Sequence, residues 1–270
     1  MGERSSEQVL GMRIVLIGAG RLATNLGRAL HTAGHDIVAV YSRTMESAQV
    51  LAEQISAQPT NQIADLPATA DAFIVAVKDA VLCSLIPLLT KGREDQVFFH
   101  TAGSMPMAVF EGMSSHYGVF YPMQSFSKER QVDFSVIPTF IEASDPSTLV
   151  LAHLLAGTIT NRIFELSSED RRYLHLSAVF ACNFVNHCYT LSAELLERHH
   201  LPFEVMLPLI DETAQKVHEM HPLDAQTGPA VRYDENVIHM QAELLADMPE
   251  MQDIYEKLSV DIHRKARKEI

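Results

Sequence analysis

Cysteine and positive charge are scarce in this sequence, and each shortage excludes a class of protein. The three cysteines, Cys83, Cys182 and Cys188, form no CxxC pair and no even disulfide framework. They are typical of reduced, partly buried thiols in a cytoplasmic protein. The formal net charge of −13 would repel a phosphate backbone, so we expect no nucleic-acid partner.

Long hydrophobic runs are missing as well. The stretch Met1–Gly11 is polar and contains no apolar segment of the kind that a secretory signal peptide needs. No apolar run in the sequence is long enough to span a membrane. We therefore expect a cytoplasmic protein that has no membrane partner.

Several catalytic motifs are also absent from the sequence. It contains no GxSxG nucleophile elbow, no HExxH zinc motif and no Walker-type loop, so a hydrolase or an ATPase has no support. His218 and His221 have a spacing that two metal ligands could use, but a third ligand is not evident beyond Asp224. We therefore predict no metal site.

Up to residue 166, short β-branched segments alternate with helical patterns of about 10–15 residues. This alternation is typical of an α/β, Rossmann-type domain with a mostly parallel sheet built from right-handed βαβ units. The predicted strands span residues 12–17, 36–41, 72–77, 96–100, 117–121, 139–142 and 160–166. The predicted helices span 45–55, 80–89 and 147–156, after a first helix that Gly34 closes.

From Ser167 onward, all predicted elements are helices. Ser167 and Asp170 form a helix-start signature, and an apolar helical pattern continues to about Arg198. Further helices are predicted at 203–220, 235–246 and 249–268. We therefore predict an NADP-binding Rossmann domain over residues 1–166 and an all-helical substrate and dimerisation domain over residues 167–270.

The helix that begins at Ser167 is apolar on almost every side and includes Leu174, Phe180 and Val185. Such a helix is normally buried on several sides. Because this apolar surface exceeds what one small bundle readily covers, we expect a homodimer through the helical half.

A glycine turn follows the first predicted strand and reads Gly18-Ala19-Gly20-Arg21-Leu22-Ala23. The first glycine allows a tight turn, the second allows close approach of a pyrophosphate, and a small third residue lets helix and strand pack closely. The helix N-terminus offers free N–H groups and the positive end of its dipole to this anion. We therefore predict dinucleotide binding by Gly18, Gly20, Arg21, Leu22 and Ala23, with a plain tight turn as the alternative.

The end of the second predicted strand indicates which dinucleotide binds. NAD enzymes usually carry a carboxylate there for the ribose 2′-hydroxyl, whereas this sequence has Ser42-Arg43-Thr44. A guanidinium between two hydroxyls suits a 2′-phosphate. We therefore predict NADP as the cofactor; the alternative is that Arg43 is a solvated residue at the start of a helix.

These residues resemble a known group of enzymes. The segment from Gly18 to Leu30, with Ser42-Arg43-Thr44, is similar to the start of pyrroline-5-carboxylate reductases and of coenzyme-F420-dependent NADP reductases. Nearly the whole chain resembles a bacterial family of NADP oxidoreductases that join a Rossmann-like domain to a helical domain of unassigned function. The other matching segments are Ala76–Asp79, His100–Ser104, Tyr121–Ser127, Ala178–Phe184 and Thr227–Ala230. The resemblance implies the fold and the cofactor class, and it leaves the substrate open.

Ligands of open parallel sheets bind beyond the carboxyl ends of the strands, so the residues at these ends are candidates for a binding site. We predict that Val77 and Lys78 after one strand, and Thr101, Ala102 and Gly103 after the next, contact the cofactor, because small residues allow close approach to a nicotinamide ribose. We expect Ser104 and Gln124 to contact the substrate.

The candidate catalytic residues are His100, His175 and Asn183. His100 could transfer a proton near neutral pH or shape its own loop through hydrogen bonds. His175 and Asn186 lie about three α-helical turns apart, which predicts one shared helix face. Polar groups on that helix bind substrate or satisfy nearby backbone. Phe180 precedes Asn183 at the position where β-hydroxyacid dehydrogenases carry their acid/base lysine.

A turn between later helices supplies the remaining candidates. We predict that Thr227 and Gly228 contact the substrate and that Arg232 anchors a carboxylate, with an exposed loop arginine as the alternative. The predicted reaction is hydride transfer between NADPH and a small C=N or C=O substrate held between the two domains. The proton would come from His100, His175 or an ordered water. The alternative function is a non-catalytic dinucleotide-binding regulatory or sensor protein.

Overall fold

An eight-stranded sheet organises the first part of the chain, with the strand order β3-β2-β1-β4-β5-β6-β7-β8. The strands are β1 (Arg13–Ile17), β2 (Asp36–Tyr41), β3 (Gln58–Thr60), β4 (Ala72–Val75), β5 (Val97–His100), β6 (His116–Pro122), β7 (Thr139–Ala143) and β8 (Ile163–Glu165). All neighbouring strands are parallel except β6 and β7. The predicted α/β fold with a mostly parallel sheet is therefore confirmed.

The helices of the chain fall into two groups. Those that accompany the sheet are α1 (Arg21–Thr32), α2 (Met45–Gln54), α3 (Asp79–Thr90), α4 (Pro146–Gly157) and α5 (Ser168–Ala178). A π-helical segment, Val179–Phe184, follows α5. The later helices are α6 (Val185–Arg198), α7 (Leu207–Glu219), α8 (Pro222–Ala225), α9 (Pro229–Arg232), α10 (Glu235–Glu243) and α11 (Pro249–Ala266).

This computed structural model describes residues 11–267. The segment on which we predict no signal peptide lies almost entirely outside the described residues, as does Lys268, the predicted end of the last helix. Within the described range, no helix is both long and apolar enough to cross a membrane. The three cysteines are free, as predicted, but they are exposed rather than partly buried.

The core of the sheet unit has two layers because successive residues of a strand point to opposite faces. Ile14 and Leu16 of β1 pack into one apolar cluster, together with residues of α1, α2 and α4. Val15 and Ile17 pack into the other cluster, which includes residues of α3. All four side chains are fully buried. The central strands therefore hold helices on both faces, as an α/β sheet requires.

Two features of the sheet differ from the sequence prediction. The short edge strand β3, Gln58-Pro59-Thr60, is not predicted, because its polar residues and proline lack the β-branched pattern of a buried strand. The predicted strand over residues 160–166 is shorter, since only Ile163–Glu165 pairs with β7.

The chain divides into two compact units, Met1–Cys182 and Asn183–Ile270. This division falls later than the boundary that we predict at residue 166. The reason is that α5 is attached to the sheet unit through Arg171, whose side chain is fully buried. Its Nη1 donates to Glu142 Oε2 at 2.6 Å and its Nη2 donates to the Met105 carbonyl at 2.7 Å.

Several apolar residues of the helical pattern that begins at Ser167 are exposed in the single chain, contrary to our prediction that this helix is buried on several sides. Leu176 is 52% exposed, Phe180 61% and Phe184 49%. The pattern therefore identifies the helix correctly, but these side chains are not part of a core formed by a single chain.

The buried ion pair between Arg171 and Glu142 leads to a prediction about stability. Arg171→Ala leaves the Glu142 carboxylate without its cation, and breaking a buried pair in this way costs about 3–5 kcal/mol. We expect this loss in the free energy of unfolding, measured by urea denaturation followed by circular dichroism. The matched control is Arg172→Ala at the exposed neighbouring residue, which should change the free energy by less than about 0.5 kcal/mol. Equal losses in the two variants would contradict the prediction.

Candidate active site

The carboxyl ends of β1, β4, β5 and β6 lie at one edge of the sheet, because each strand is parallel to its neighbour in this series. The glycine turn follows β1, and Val77 and Lys78 follow β4. The loop from Thr101 to Ser104 follows β5. Parallel pairing therefore brings the predicted cofactor residues of these three segments to the same edge.

Gly18 lies in a tight turn that only glycine fits. Its φ is +121°, and a Cβ at this position would stand 2.2 Å from the Ala76 carbonyl oxygen. Its amide donates to the Tyr41 carbonyl at 2.7 Å. The turn is therefore fixed against the ends of both β2 and β4.

Gly20 precedes the first residue of α1 and has extended backbone, with φ −78° and ψ −174°. A Cβ built on Gly20 meets nothing within 4 Å, so the backbone here is open to a close approach. The first helical turn contains Arg21, Leu22 and Ala23, whose amides have no partner within a helix. Ala23 is fully buried in the core, which anchors the turn. This arrangement suits a pyrophosphate.

The segment Ser42-Arg43-Thr44 follows β2, whose residue Tyr41 is in register with Ile17 of β1. The Ser42 amide donates to the Thr60 carbonyl at 3.1 Å, and Thr44 is the N-cap of α2. The Arg43 side chain is exposed. The segment is thus held by its backbone, and the guanidinium lies at the same sheet edge as the glycine turn.

A hydrogen bond between side chains joins the loop after β5 to the start of α3. The Ser104 hydroxyl donates to the Asp79 carboxylate, and Asp79 is the first residue of α3, next to the N-cap Lys78. The loops after β4 and β5 are therefore connected beside the predicted cofactor residues. A negative charge lies at this point of the edge.

His100, at the end of β5, is fully buried and uses both ring nitrogens within its own loop. Its Nδ1 accepts from the Ala102 amide at 3.1 Å, and its Nε2 lies 3.3 Å from the Pro106 carbonyl oxygen. Burial first, and the nearby Arg171 charge second, lower the pKa of His100 to about 4. This environment favours the loop-shaping alternative for His100.

Tyr121, near the end of β6, contacts His175 of α5. The Tyr121 hydroxyl lies 3.0 Å from His175 Nδ1, and the tyrosine is 8% exposed while the histidine is partly buried. A Cβ on Gly103 would stand 2.5 Å from His175 Nδ1 and 2.8 Å from Tyr121 Cζ. Glycine at position 103 is therefore required for these two side chains to meet against the loop.

Arg171 positions α5 beside this pair. It lies one helical turn before His175 and shares the Glu142 carboxylate with Ser168, whose amide and hydroxyl donate to it at 2.9 and 2.6 Å. The Ser168 hydroxyl in turn accepts from the Met107 amide at 2.8 Å. The start of α5 is thus bonded both to β7 and to the loop after β5.

The other predicted residues lie elsewhere. Gln124 is exposed, and its Oε1 accepts from the Ser125 amide at 2.8 Å. Asn183 lies in the π-helical segment, and Asn186 lies in α6. We predict that His175 and Asn186 share one helix face because they would lie about three α-helical turns apart. The π-helical segment between them has i to i+5 hydrogen bonds, so the regular α-helical spacing does not apply.

The turn before α9 belongs to the second unit. Thr227 is exposed, and Gly228 has a φ of +106° as the N-cap of α9. The Arg232 side chain is 71% exposed and lies 3.5 Å from the Asp234 carboxylate. Arg232 therefore has the environment of an exposed loop arginine, which is the alternative left by the sequence.

Sequence reasoning did not identify Tyr121, Asp79 or Arg171 as site residues. A signal for Tyr121 was present, since it comes at the end of a predicted strand, where ligands of a parallel sheet bind. Asp79 likewise follows a strand end. Arg171 carries no such signal, because its partner Glu142 is distant in sequence and only the fold brings the two together.

The chain matches two protein families. Residues 3–121 match "Rossmann-like domain" and residues 137–262 match "Domain of unknown function (DUF2520)". No curated protein is similar enough in sequence to count as a match.

Solved structures of similar fold cover nearly the full length. A putative NADP oxidoreductase from Bacteroides fragilis is 55% identical, with 94% of this chain and 98% of that chain covered and a TM-score of 0.91. An imine reductase from Myxococcus stipitatus in complex with NADP⁺ is 15% identical, with 95% and 93% covered and a TM-score of 0.65. A pyrroline-5-carboxylate reductase from Coxiella burnetii is 18% identical, with 94% and 97% covered and a TM-score of 0.57. The last two show a shared fold.

The lowered pKa of His100 leads to a prediction about pH. The unfolded chain binds a proton at this residue below about pH 6.5, whereas the folded protein does so only below about 4. The free energy of unfolding should therefore fall as the pH drops from 6.5 to 4, with His100 contributing on the order of 2–3 kcal/mol. We expect this fall to be smaller by that amount in His100→Asn, measured by urea denaturation across this pH range.

The exposed His239 provides the control, because its side chain is 78% exposed. His239→Asn should follow the wild-type pH dependence. If the His100→Asn and wild-type curves run parallel from pH 6.5 to 4, the assignment of the slope to His100 is wrong.

Proposed function

The chain belongs to the family of the Bacteroides fragilis protein, and from this premise we propose that it is an NADP-dependent oxidoreductase. It transfers a hydride between NADPH and a small C=N or C=O substrate. The observation that carries the proposal is the fixed turn of Gly18 and Gly20 at the start of α1, with Arg43 at the same edge of the sheet. The imine-reductase and pyrroline-carboxylate-reductase relatives share this fold and support the reaction class.

The residues at the sheet edge fit the cofactor. The amides of Arg21, Leu22 and Ala23, together with open space at Gly20, would hold the pyrophosphate. Ser42, Arg43 and Thr44 would bind the 2′-phosphate through charge and hydroxyl groups. The nicotinamide end would lie against Val77, Lys78, Thr101, Ala102 and Gly103. When bound, NADPH supplies the hydride.

The protein's own groups then orient and polarise the substrate. Ser104 is held by Asp79 and offers a hydroxyl oxygen at the edge where hydride transfer takes place. Gln124 stays a candidate substrate contact. In the second unit, Asn183, Asn186, Thr227, Gly228 and Arg232 also stay predicted substrate or catalytic residues.

Coenzyme selection tests the cofactor proposal. Arg43→Asp replaces a guanidinium by a carboxylate that repels the 2′-phosphate. We expect calorimetry to show a loss of NADPH affinity of about tenfold or more, because a hydrogen bond to a charged group contributes about 1.5–3 kcal/mol. NADH affinity should change far less. Equal losses for NADPH and NADH would contradict the role of Arg43.

The control makes the same charge change beside β8, which lies at the other end of the strand order from β2. Arg162 precedes β8, whereas Arg43 follows β2, and both side chains are exposed. Arg162→Asp should leave the affinities for both coenzymes unchanged. A loss of NADPH affinity in this variant would mean that overall charge, rather than contact at Arg43, decides binding.

Turnover separates the oxidoreductase from a non-catalytic sensor. NADPH oxidation is followed with imino acids, 2-keto acids and aldehydes as acceptors. We expect turnover with at least one class of acceptor. Tight NADPH binding without turnover on any of them would overturn the enzyme proposal and favour a regulatory or sensor protein.

We also propose a homodimer formed through the helical second unit. A largely apolar groove there is lined by Leu195, Leu244, Leu245, Met248 and Tyr255, with Arg198, His199, Gln241 and Asp247 beside them. Leu244 is 74% exposed in the single chain. Exposed apolar surface of this kind marks interaction sites. Light scattering at micromolar concentration should give twice the 30.1 kDa chain mass. A mass of one chain would contradict the proposal.

A further inference from the structure

Reduction of a C=N or C=O bond requires a proton as well as a hydride, and Tyr121 and His175 are placed to deliver it. We propose that the Tyr121 hydroxyl donates the proton to the substrate nitrogen or oxygen and that His175 Nδ1–H donates to the tyrosine oxygen. This inference rests on the proposed function. It assigns the proton step to side chains of the first unit.

The position of Tyr121 supports this role. Tyr121 lies near the carboxyl end of β6, which is parallel to β5, so it shares the edge with the glycine turn and the Gly103 loop. Gly103 brings the hydroxyl and imidazole against the loop, because any side chain there would collide with both. The pair is therefore built into the part of the edge where we expect the nicotinamide to bind.

The orientation of His175 is set by α5. Its Nδ1 lies 3.0 Å from the Tyr121 hydroxyl, and the two rings meet at 69° with centroids 6.0 Å apart. A phenol oxygen can accept one hydrogen bond while its proton is donated to another group. If His175 carries the proton on Nδ1, the Tyr121 proton is free to point toward a substrate.

Burial, rather than the charged groups that face it, keeps Tyr121 protonated. Burial is the main cause that raises its pKa to about 12; the Asp79 carboxylate at the start of α3 adds to this, and the Arg171 guanidinium of α5 opposes it. The hydroxyl thus carries its proton at neutral pH. His100 is unsuited to the same task, because both of its ring nitrogens are already used within its loop.

A hydride adds to the carbon of the C=N or C=O bond, and the π electron pair moves to the nitrogen or oxygen. The Tyr121 O–H bond breaks, and its proton bonds to that atom. The tyrosine oxygen takes the proton from His175 Nδ1 as His175 Nε2 takes one up from solvent, so the imidazole stays neutral. Proton exchange with solvent then restores the Nδ1–H tautomer. The substrate is reduced, and NADPH is oxidised to NADP⁺.

The first test determines which ring nitrogen of His175 carries the proton, in the protein without coenzyme or substrate. Correlation NMR of nitrogen-labelled histidines distinguishes a protonated ring nitrogen from a bare one, and His175→Gln identifies the signals of this residue. We expect a protonated Nδ1 in the wild type and loss of this preference in Tyr121→Phe. A bare Nδ1 in the wild type would mean that the tyrosine donates to the histidine, which overturns the proposal.

The second test measures hydride transfer in a single turnover, with an acceptor that the wild type reduces. Tyr121→Phe keeps the ring and removes only the hydroxyl, so we expect the rate to fall by about a hundredfold or more, as loss of a general acid does. NADPH affinity and the circular dichroism spectrum should stay those of the wild type. Tyr117→Phe is the matched control, because Tyr117 lies near the amino end of the same strand and should keep the wild-type rate.

The outcomes separate this inference from the proposed function. A wild-type protein that reduces none of the acceptors overturns the proposed function, and the proton-donor assignment falls with it. A wild-type protein that turns over, together with a Tyr121→Phe variant that keeps the full rate, overturns the proton-donor assignment alone. A loss of rate in Tyr117→Phe as large as in Tyr121→Phe would also overturn it.

Discussion

The buried ion pair between Arg171 and Glu142 is the contact on which the arrangement of the candidate active site depends. A charge without exposure to water is tolerated only with a close partner and further hydrogen bonds, and Arg171 has the Glu142 carboxylate and the Met105 carbonyl. The pair fixes the start of α5 against the carboxyl edge of the sheet. His175 lies one turn later on the same helix, so its contact with Tyr121 follows from this attachment.

The carboxyl edge of the sheet carries two opposite charges that differ in their exposure to solvent. The Arg171 guanidinium is buried beneath the loop after β5, while the Asp79 carboxylate lies at the surface of the edge and accepts from Ser104. Between them, Tyr121 and His100 are both driven toward their neutral forms, chiefly by burial. The buried part of this edge therefore keeps Tyr121 as a neutral hydrogen-bond donor, which is the state that the proposed proton transfer needs.

The glycine turn can be recognised in the sequence, whereas the contact between Tyr121 and His175 cannot, for a physical reason. The turn is formed by backbone, and the residues that shape it, Gly18, Gly20 and Ala23, are close together in the chain and have a recognisable spacing. The proposed proton-transfer site combines Gly103, Tyr121 and His175, which come from three distant segments. The sequence predicts Gly103 and His175 as site residues, but not that they meet Tyr121. Their meeting depends on strand order and on the attachment of α5, neither of which leaves a local pattern in the sequence. For the same reason the predicted domain boundary precedes the observed division, since a buried arginine assigns α5 to the sheet unit.

The two histidines of this edge show how the surroundings, rather than the residue type, decide a role. His100 is the stronger candidate from sequence, because it ends a strand directly before a glycine-containing loop. Yet its Nδ1 accepts from the Ala102 amide and its Nε2 faces the Pro106 carbonyl, so the ring is committed to holding that loop in shape. The loop in turn places Gly103 where the Tyr121 and His175 side chains can meet. In the proposed mechanism His100 is therefore a positioning residue: it holds the loop against which His175 and Tyr121 meet. A variant of His100 should disturb the contact between Tyr121 and His175 without removing either of the two groups proposed to transfer the proton.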